Sequence, residues 1–308
     1  MNDIHIILHC LPREIDDLER IVNQLKISSH YLEKNDKVVL DFTLNLSDYY
    51  TDWNASKLPK DFFVEKYKVM ESKSDWTHKN IFEINDGGSN RCLGINDKRR
   101  NSIREYNPKN FMYLDTDVFF SQFNLAYMFR ALDNIKDEYY ILNSQILRLW
   151  DDGWNIISND RYIPMGIESK IWLKYDPYGL DSEVYNYLSE VKIKKLNDFK
   201  FGGGWFNLFS SNLLKYIDIP DSFGSYGLDD TFIFECAGIM SKSGYNINQY
   251  ILDNMLVCEN RKYRDLNPYL PYISDLTNSD EFKQKFRVVA QKHYREEVNK
   301  FIRGKINE

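Results

Sequence analysis

Two aspartates interrupt an apolar run in Tyr113-Leu114-Asp115-Thr116-Asp117-Val118-Phe119-Phe120. Read as one strand from Phe111 to Phe120, the run puts both carboxylates on the same face, because side chains two apart leave an extended chain on one side. Carboxylates buried there without a counter-charge are costly, so a positive partner is expected. A hard divalent cation, Mn2+ or Mg2+, suits them, since it takes oxygen ligands and keeps positions open for substrate phosphates. A DxD also arises by chance in loops. A second acidic pair, Asp229-Asp230, heads a predicted helix running to Met240. The helix dipole favours an ionised carboxylate there, which suits a general base, although aspartate is also a common helix cap. Between the two pairs lies Phe201-Gly202-Gly203-Gly204-Trp205-Phe206. Its glycines let backbone approach a ligand or a neighbouring strand closely.

The elements around these residues read as an α/β fold. Asp3 to His9 is a buried strand, Pro12 opens a helix reaching about Leu32, and Lys37 to Leu46 is a second strand. That order predicts a βαβ unit with a parallel sheet. Residues 48–79 form an insertion with a helix near Phe62 to Met70, and Asn80 to Ile84 is a third strand ending in a turn-rich NDGGSN. Lys98 to Tyr106 is helical, and a helix from about Asn124 to Ile135 follows the DxD strand. Phe201 to Leu208 is a glycine-rich strand, Asn212 to Tyr216 a short helix, and Glu281 to Ile306 a terminal helix with Phe286, Ala290, Tyr294, Val298 and Phe301 on one face. Residues 141–195 mix strand-like runs with Trp-rich loops, of which Trp150 and Trp154 are stacking candidates or core residues.

The 308 residues carry a net charge of −6, which argues against general nucleic-acid binding. A phosphate-rich substrate must then be neutralised locally. Four cysteines (Cys10, Cys92, Cys236, Cys258) form no CxxC pair, so a reducing compartment is expected. No stretch approaches the ~20 apolar residues of a membrane span, and the apolar run Ile4 to Leu8 reads as a strand, so a cytoplasmic location is expected.

The order of these motifs resembles the GT-A fold glycosyltransferases, in particular their large family 2. Arg100-Asn101 stands fifteen residues before Asp115. Phe201 to Phe206 is followed by Ser210-Ser211-Asn212-Leu213-Leu214, and Tyr226-Gly227-Leu228-Asp229-Asp230 looks like the family's Tyr-Gly-x-Glu-Asp. The resemblance covers roughly residues 3 to 240. It implies a Rossmann-like, mostly parallel sheet flanked by helices, with residues 1–120 binding the nucleotide sugar, 121–250 binding the acceptor, and 251–308 as a C-terminal extension. The family's Asp-Asp-Gly-Ser after the second strand is absent. By element count its place falls at Asn45-Leu46-Ser47-Asp48, whereas Asn85-Asp86-Gly87-Gly88-Ser89 resembles it one strand too late. No histidine stands where many relatives place a third metal ligand. Cys258, Glu259 or Asn260 could substitute, or water and donor could complete the shell.

The resemblance further implies a sugar donor, foremost a UDP- or GDP-sugar, and a glycan or lipid-linked glycan acceptor. Asp117 would bind Mn2+ or Mg2+, with Asp115 contacting the ribose or a metal-bound water, and Arg100 would serve as a second cation. The nucleoside would lie near His9, Cys10, Leu11, Arg13, Asn45 and Ser47. Asp230, or else Asp229, would be the base. Gly203, Gly204 and Trp205 would meet the acceptor, with Trp205 stacking on its sugar. The Lys- and Arg-rich terminal helix could favour peripheral contact with an anionic membrane. Two further readings are a sugar-1-phosphate nucleotidyltransferase, disfavoured by the absence of glycine in His9-Cys10-Leu11-Pro12-Arg13, and a non-catalytic carbohydrate-binding protein.

Overall fold

The computed structural model describes residues 3–54, 56–86, 94–149, 191–260 and 280–306. Among the described residues, nine strands join one sheet. They are β1 (Asp3–Cys10), β2 (Lys37–Asn45), β3 (Lys79–Asn85), β4 (Asn110–Leu114), β5 (Val118–Phe120), β6 (Tyr139–Leu149), β7 (Ile193–Lys195), β8 (Phe206–Ser210) and β9 (Ile247–Asn260). Their order is β3-β2-β1-β4-β8-β6-β9-β5, with β7 also on β9. The ladders β1–β2, β2–β3, β1–β4 and β6–β9 are parallel, and β8 runs antiparallel between β4 and β6. This is the Rossmann-like, mostly parallel arrangement expected, and a single sheet spans both predicted halves.

Strand alternation sorts the two cores. Ile4, Ile6, Leu8 and Cys10 of β1 face a core with α1 (Ile15–Ser29), α2 (Lys60–Ser72) and α4 (Asn124–Asn134). Ile7 of β1 faces the other core, with Phe111 and Tyr113 of β4. That core is covered by α3 (Ile95–Glu105), α5 (Ser211–Tyr216), α6 (Asp229–Lys242) and α7 (Asp280–Ile306). Covering both faces explains why β1 and β4 read as near-continuous apolar runs. In the strand order 3-2-1-4 the connections leave β1 in opposite directions, and a crevice opens at the carboxyl ends of β1 and β4.

Two predicted strands differ from the structure. The DxD segment does not continue a single strand: β4 stops at Leu114, the chain turns at Thr116 and Asp117, and β5 moves across to pair with β9. The two carboxylates therefore reach the crevice around a turn rather than by strand alternation. The glycine-rich strand begins only at Phe206, since Gly203 has φ 72° and cannot continue a ladder. Trp150 and Trp154, and Gly87 to Ser89 of the NDGGS run, lie outside the described residues.

Candidate active site

A cleft of about 380 Å3 opens at the carboxyl ends of β1 and β4. Asp115, Thr116 and Asp117 form one wall, and Tyr226 to Thr231 form another with Gly204 and Trp205. His9, Leu11, Arg13, Glu14 and Tyr50 line the side at the end of β1.

The DxD turn is held from three directions. The Asp115 amide donates to the Trp205 carbonyl at 3.0 Å, extending the β4–β8 ladder by one step. From α1, the buried Arg20 donates to the carbonyls of Thr116 (2.6 Å) and Val118 (2.8 Å), while its guanidinium lies 3.9 Å from the centroid of the Phe119 ring. From α3, Arg99 donates to the Asp115 carboxylate at 3.1 Å. Asp117 itself is 2% exposed.

Arg99 is the hub of the site. Besides Asp115 it donates to Asp229 at 2.8 Å and to the Gly204 carbonyl at 2.6 Å, and it stacks 4.1 Å from the centroid of the Tyr113 ring. Burial works against its charge, but Asp229 and then Asp115 raise its pKa above the usual arginine value. One planar fork thus joins the two acidic pairs, a geometry arginine suits and lysine does not.

The basic run Lys98-Arg99-Arg100 splits three ways because successive helical residues point about 100° apart. Lys98 pairs with Asp41 of β2, which also accepts from His5 and Ser102, and with Glu83 of β3. Burial alone would raise the Asp41 carboxyl, but these donors outweigh it and hold it below its ordinary value. Arg100 donates to the carbonyls of Ile219, Pro220 and Gly224 and pairs with Asp97. Arg100 is therefore not the cleft cation expected from the sequence; Arg99 is. Helical spacing did not select it: Arg99 shares an interval of four with Ile95 and Ile103, but Lys98 and Ser102 on the same helix also meet the sheet, at Asp41.

The second acidic pair starts α6. Leu228 precedes it at φ 62°, a strained conformation for a branched side chain and the kind found where structure over-determines a site. Asn96, fully buried at the start of α3, fixes this segment by donating to the Gly227 carbonyl and accepting from its amide, both at 3.1 Å. Asp229 takes Arg99. Asp230 faces the cleft and accepts from the Thr231 amide at 2.7 Å. Burial, and next the charge of Asp229, push its carboxyl up to about 6. Gly204 makes room for it: a Cβ there would stand 2.6 Å from Asp230 Oδ2.

The remaining expected residues divide. His9, Leu11 and Arg13 line the cleft. Cys10 does not, because it is an inward position of β1 and its thiol donates to the Leu11 carbonyl inside the core. Asn45 and Ser47 also lie behind the wall: Asn45 is hydrogen-bonded to His9 at 3.1 Å and accepts from the Ser47 amide, and Ser47 accepts from the Tyr49 amide. Gly203 likewise is not on the cleft surface, whereas Gly204 is. Trp205 is 4% exposed and belongs to the core, so it forms wall rather than an open stacking face; Phe201, 54% exposed at the same cleft, has that face. Tyr226, which opens the Tyr-Gly-x-Glu-Asp-like run, and Tyr50 pack with Leu11 at the β1 end. Tyr50 was not anticipated, since a lone tyrosine in a loop reads as packing.

Asp115 and Asp117 suit a hard cation that takes one or two carboxylates and fills its shell with water and substrate phosphates. Among the described residues, no three His, Cys, Asp or Glu side chains form a ready-made metal cage. In backbone register Glu259 sits opposite Val118, beside the DxD turn. Among the described residues, no helix is long and apolar enough to cross a membrane.

No protein-family model matches the chain, and no curated protein matches it. Solved structures similar to it include S. aureus TarS residues 1–349 in complex with UDP, at 12% identity and a TM-score of 0.45, covering 96% of this chain and 72% of that one. The same TarS fragment in complex with UDP-GlcNAc aligns at a TM-score of 0.44 and 12% identity, covering 96% of this chain and 73% of that one. Glucosyl-3-phosphoglycerate synthase from Mycobacterium tuberculosis, in complex with Mg2+ and UDP, aligns at 11% identity and a TM-score of 0.41, covering 84% of this chain and 70% of that one.

Proposed function

We propose that the protein is a glycosyltransferase that moves a sugar from a nucleoside-diphosphate sugar, foremost a UDP- or GDP-sugar, to an acceptor hydroxyl of a glycan. One observation carries this reading: acidic pairs from distant parts of the chain, Asp115/Asp117 and Asp229/Asp230, share one cleft and are joined by Arg99. His9, Leu11 and Tyr50, at the end of β1, take the nucleoside, and residues 121–250 supply the acceptor side. Asp117, with Asp115, would hold Mn2+ or Mg2+, which supplies charge to offset the departing diphosphate. Asp230 accepts the proton of the attacking hydroxyl, a role favoured by a carboxylate pKa near neutrality. Asp229 is bound to Arg99 and positions rather than accepts. A single displacement with this base inverts the anomeric centre. The basic terminal helix supports peripheral contact with a membrane bearing a lipid-linked acceptor.

The full chain should be incubated with UDP-, GDP-, CMP- and dTDP-sugars, with and without Mn2+. Expected is Mn2+-dependent release of nucleoside diphosphate from a UDP-, GDP- or dTDP-sugar, with water taking the sugar in place of the acceptor, abolished in Asp117→Ala and Asp230→Asn. Pyrophosphate release from a nucleoside triphosphate and a sugar 1-phosphate would instead mark a nucleotidyltransferase. Sugar binding with no turnover would mark a carbohydrate-binding protein.

A further inference from the structure

Arg287, on the C-terminal helix α7, also lines the cleft. The other cleft arginines are engaged: Arg99 by Asp115 and Asp229, while Arg13 stands 4.0 Å from Glu14. Among the described residues Arg287 is the cleft cation with no carboxylate partner, and it is exposed. Its placement is tightly determined. A Cβ added at Gly227 would stand 3.2 Å from Arg287 Cγ and 3.6 Å from its Cβ, so the side-chain stem lies on the backbone two residues before Asp229. Asn96 holds that backbone from the other side. Over the next three turns of α7, Ala290, Tyr294 and Val298 are buried in the core, and the Tyr294 hydroxyl donates to Glu235 of α6. The stem is thus anchored at the cleft while the guanidinium stays exposed and able to meet an anion.

We propose that Arg287 binds a phosphate oxygen of a substrate, so that the terminal helix contributes to specificity as well as packing. This deepens the glycosyltransferase reading and rests on it for the identity of the substrates. The phosphate has two possible sources, the donor's diphosphate or a phosphate carried by the acceptor.

The test compares the wild-type chain, Arg287→Ala and Arg287→Lys, with and without Mn2+. Calorimetric affinities are taken for UDP, uridine, pyrophosphate, glucose and glucose 6-phosphate. Because Arg287 is exposed, the variants should melt with the wild type. If the donor is the source, Arg287→Ala weakens UDP and pyrophosphate about tenfold, leaves uridine unchanged, and is largely rescued by lysine. If the acceptor is the source, UDP is unaffected and the preference for glucose 6-phosphate over glucose disappears. Wild-type affinity of Arg287→Ala for every phosphate-bearing probe, with UDP still bound, overturns the proposal while the glycosyltransferase reading stands. Arg287-dependent binding of pyrophosphate or glucose 6-phosphate with no affinity for UDP supports Arg287 and contradicts the UDP form of that reading. A wild-type chain that binds none of the phosphate probes contradicts both.

Discussion

The acid pair at the end of β4 and the acid pair at the head of α6 meet the same arginine, and each gives it one carboxylate. Arg99 takes Asp115 from the first and Asp229 from the second. Asp117 and Asp230 stand outside that ion pair on the same cleft. The surroundings then separate these two. Asp117 sits in a turn whose flanking carbonyls are held by Arg20, which would make it a rigid seat for the proposed cation. Asp230 sits at a helix start, where burial first and then the charge of Asp229 beside it raise its pKa toward that of a useful base. Two similar sequence motifs thus acquire different surroundings: in each pair one acid is tied to Arg99, and in the proposed mechanism the other is the one left for chemistry.

Removing the shared arginine should collapse the distinction altogether. Arg99→Ala leaves the buried Asp229 carboxylate, and the partly exposed Asp115, without their counter-charge, at a cost of about 3 kcal/mol in urea unfolding, and should abolish turnover. Arg100→Ala also destabilises, but should leave nucleotide affinity within about twofold of wild type, because its guanidinium ties the 219–224 loop and not the cleft.

Within the second pair, Asp230→Asn should lower kcat by roughly 10³ with little change in donor KM. Asp229→Asn should act chiefly on stability. If the two variants lost kcat equally while stability stayed level, the division of labour between them would be wrong.

Gly204→Ala tests the space that Asp230 needs. The added methyl meets its carboxylate, so kcat should fall on the order of tenfold to a hundredfold while nucleotide binding, measured by calorimetry, barely moves.

The smallest effect is a pH dependence with a definite sign. Native Asp230 is pushed up to about 6 from an ordinary 3.8, so between those values the native chain holds more protons than the unfolded one. Its contribution to stability is therefore present at low pH and lost as pH rises through about 6. In metal-free buffer Asp230→Asn should be more stable than wild type at pH 7.5, by about 1–3 kcal/mol, with the gain vanishing near pH 3.5. The rate of the wild type should rise with pH through the same region.

Much of this was legible from local pattern. The apolar runs of β1 and β2, the helical spacing in α1 and α7, and both acidic pairs were visible because each depends on neighbours in sequence. The illegible parts depend on long-range geometry. Which of Lys98, Arg99 and Arg100 enters the cleft is decided by how α3 docks on the sheet. The turn that ends β4 is invisible in Leu114 to Val118, since the apolar run resumes at once. It is imposed by the pairing of β5 with β9, more than a hundred residues later in the chain. Cys10 was assigned to the cleft from its place at a strand end, although strand alternation turns it inward while His9 points the other way.

The most direct test is calorimetric titration of UDP, or of GDP if that is the nucleotide bound, into wild type and Asp117→Ala with and without Mn2+. The expected result is that Mn2+ tightens wild-type binding at least tenfold and that the increment is lost in Asp117→Ala. An increment of equal size in both proteins would contradict the assignment of Asp117 as the cation's seat.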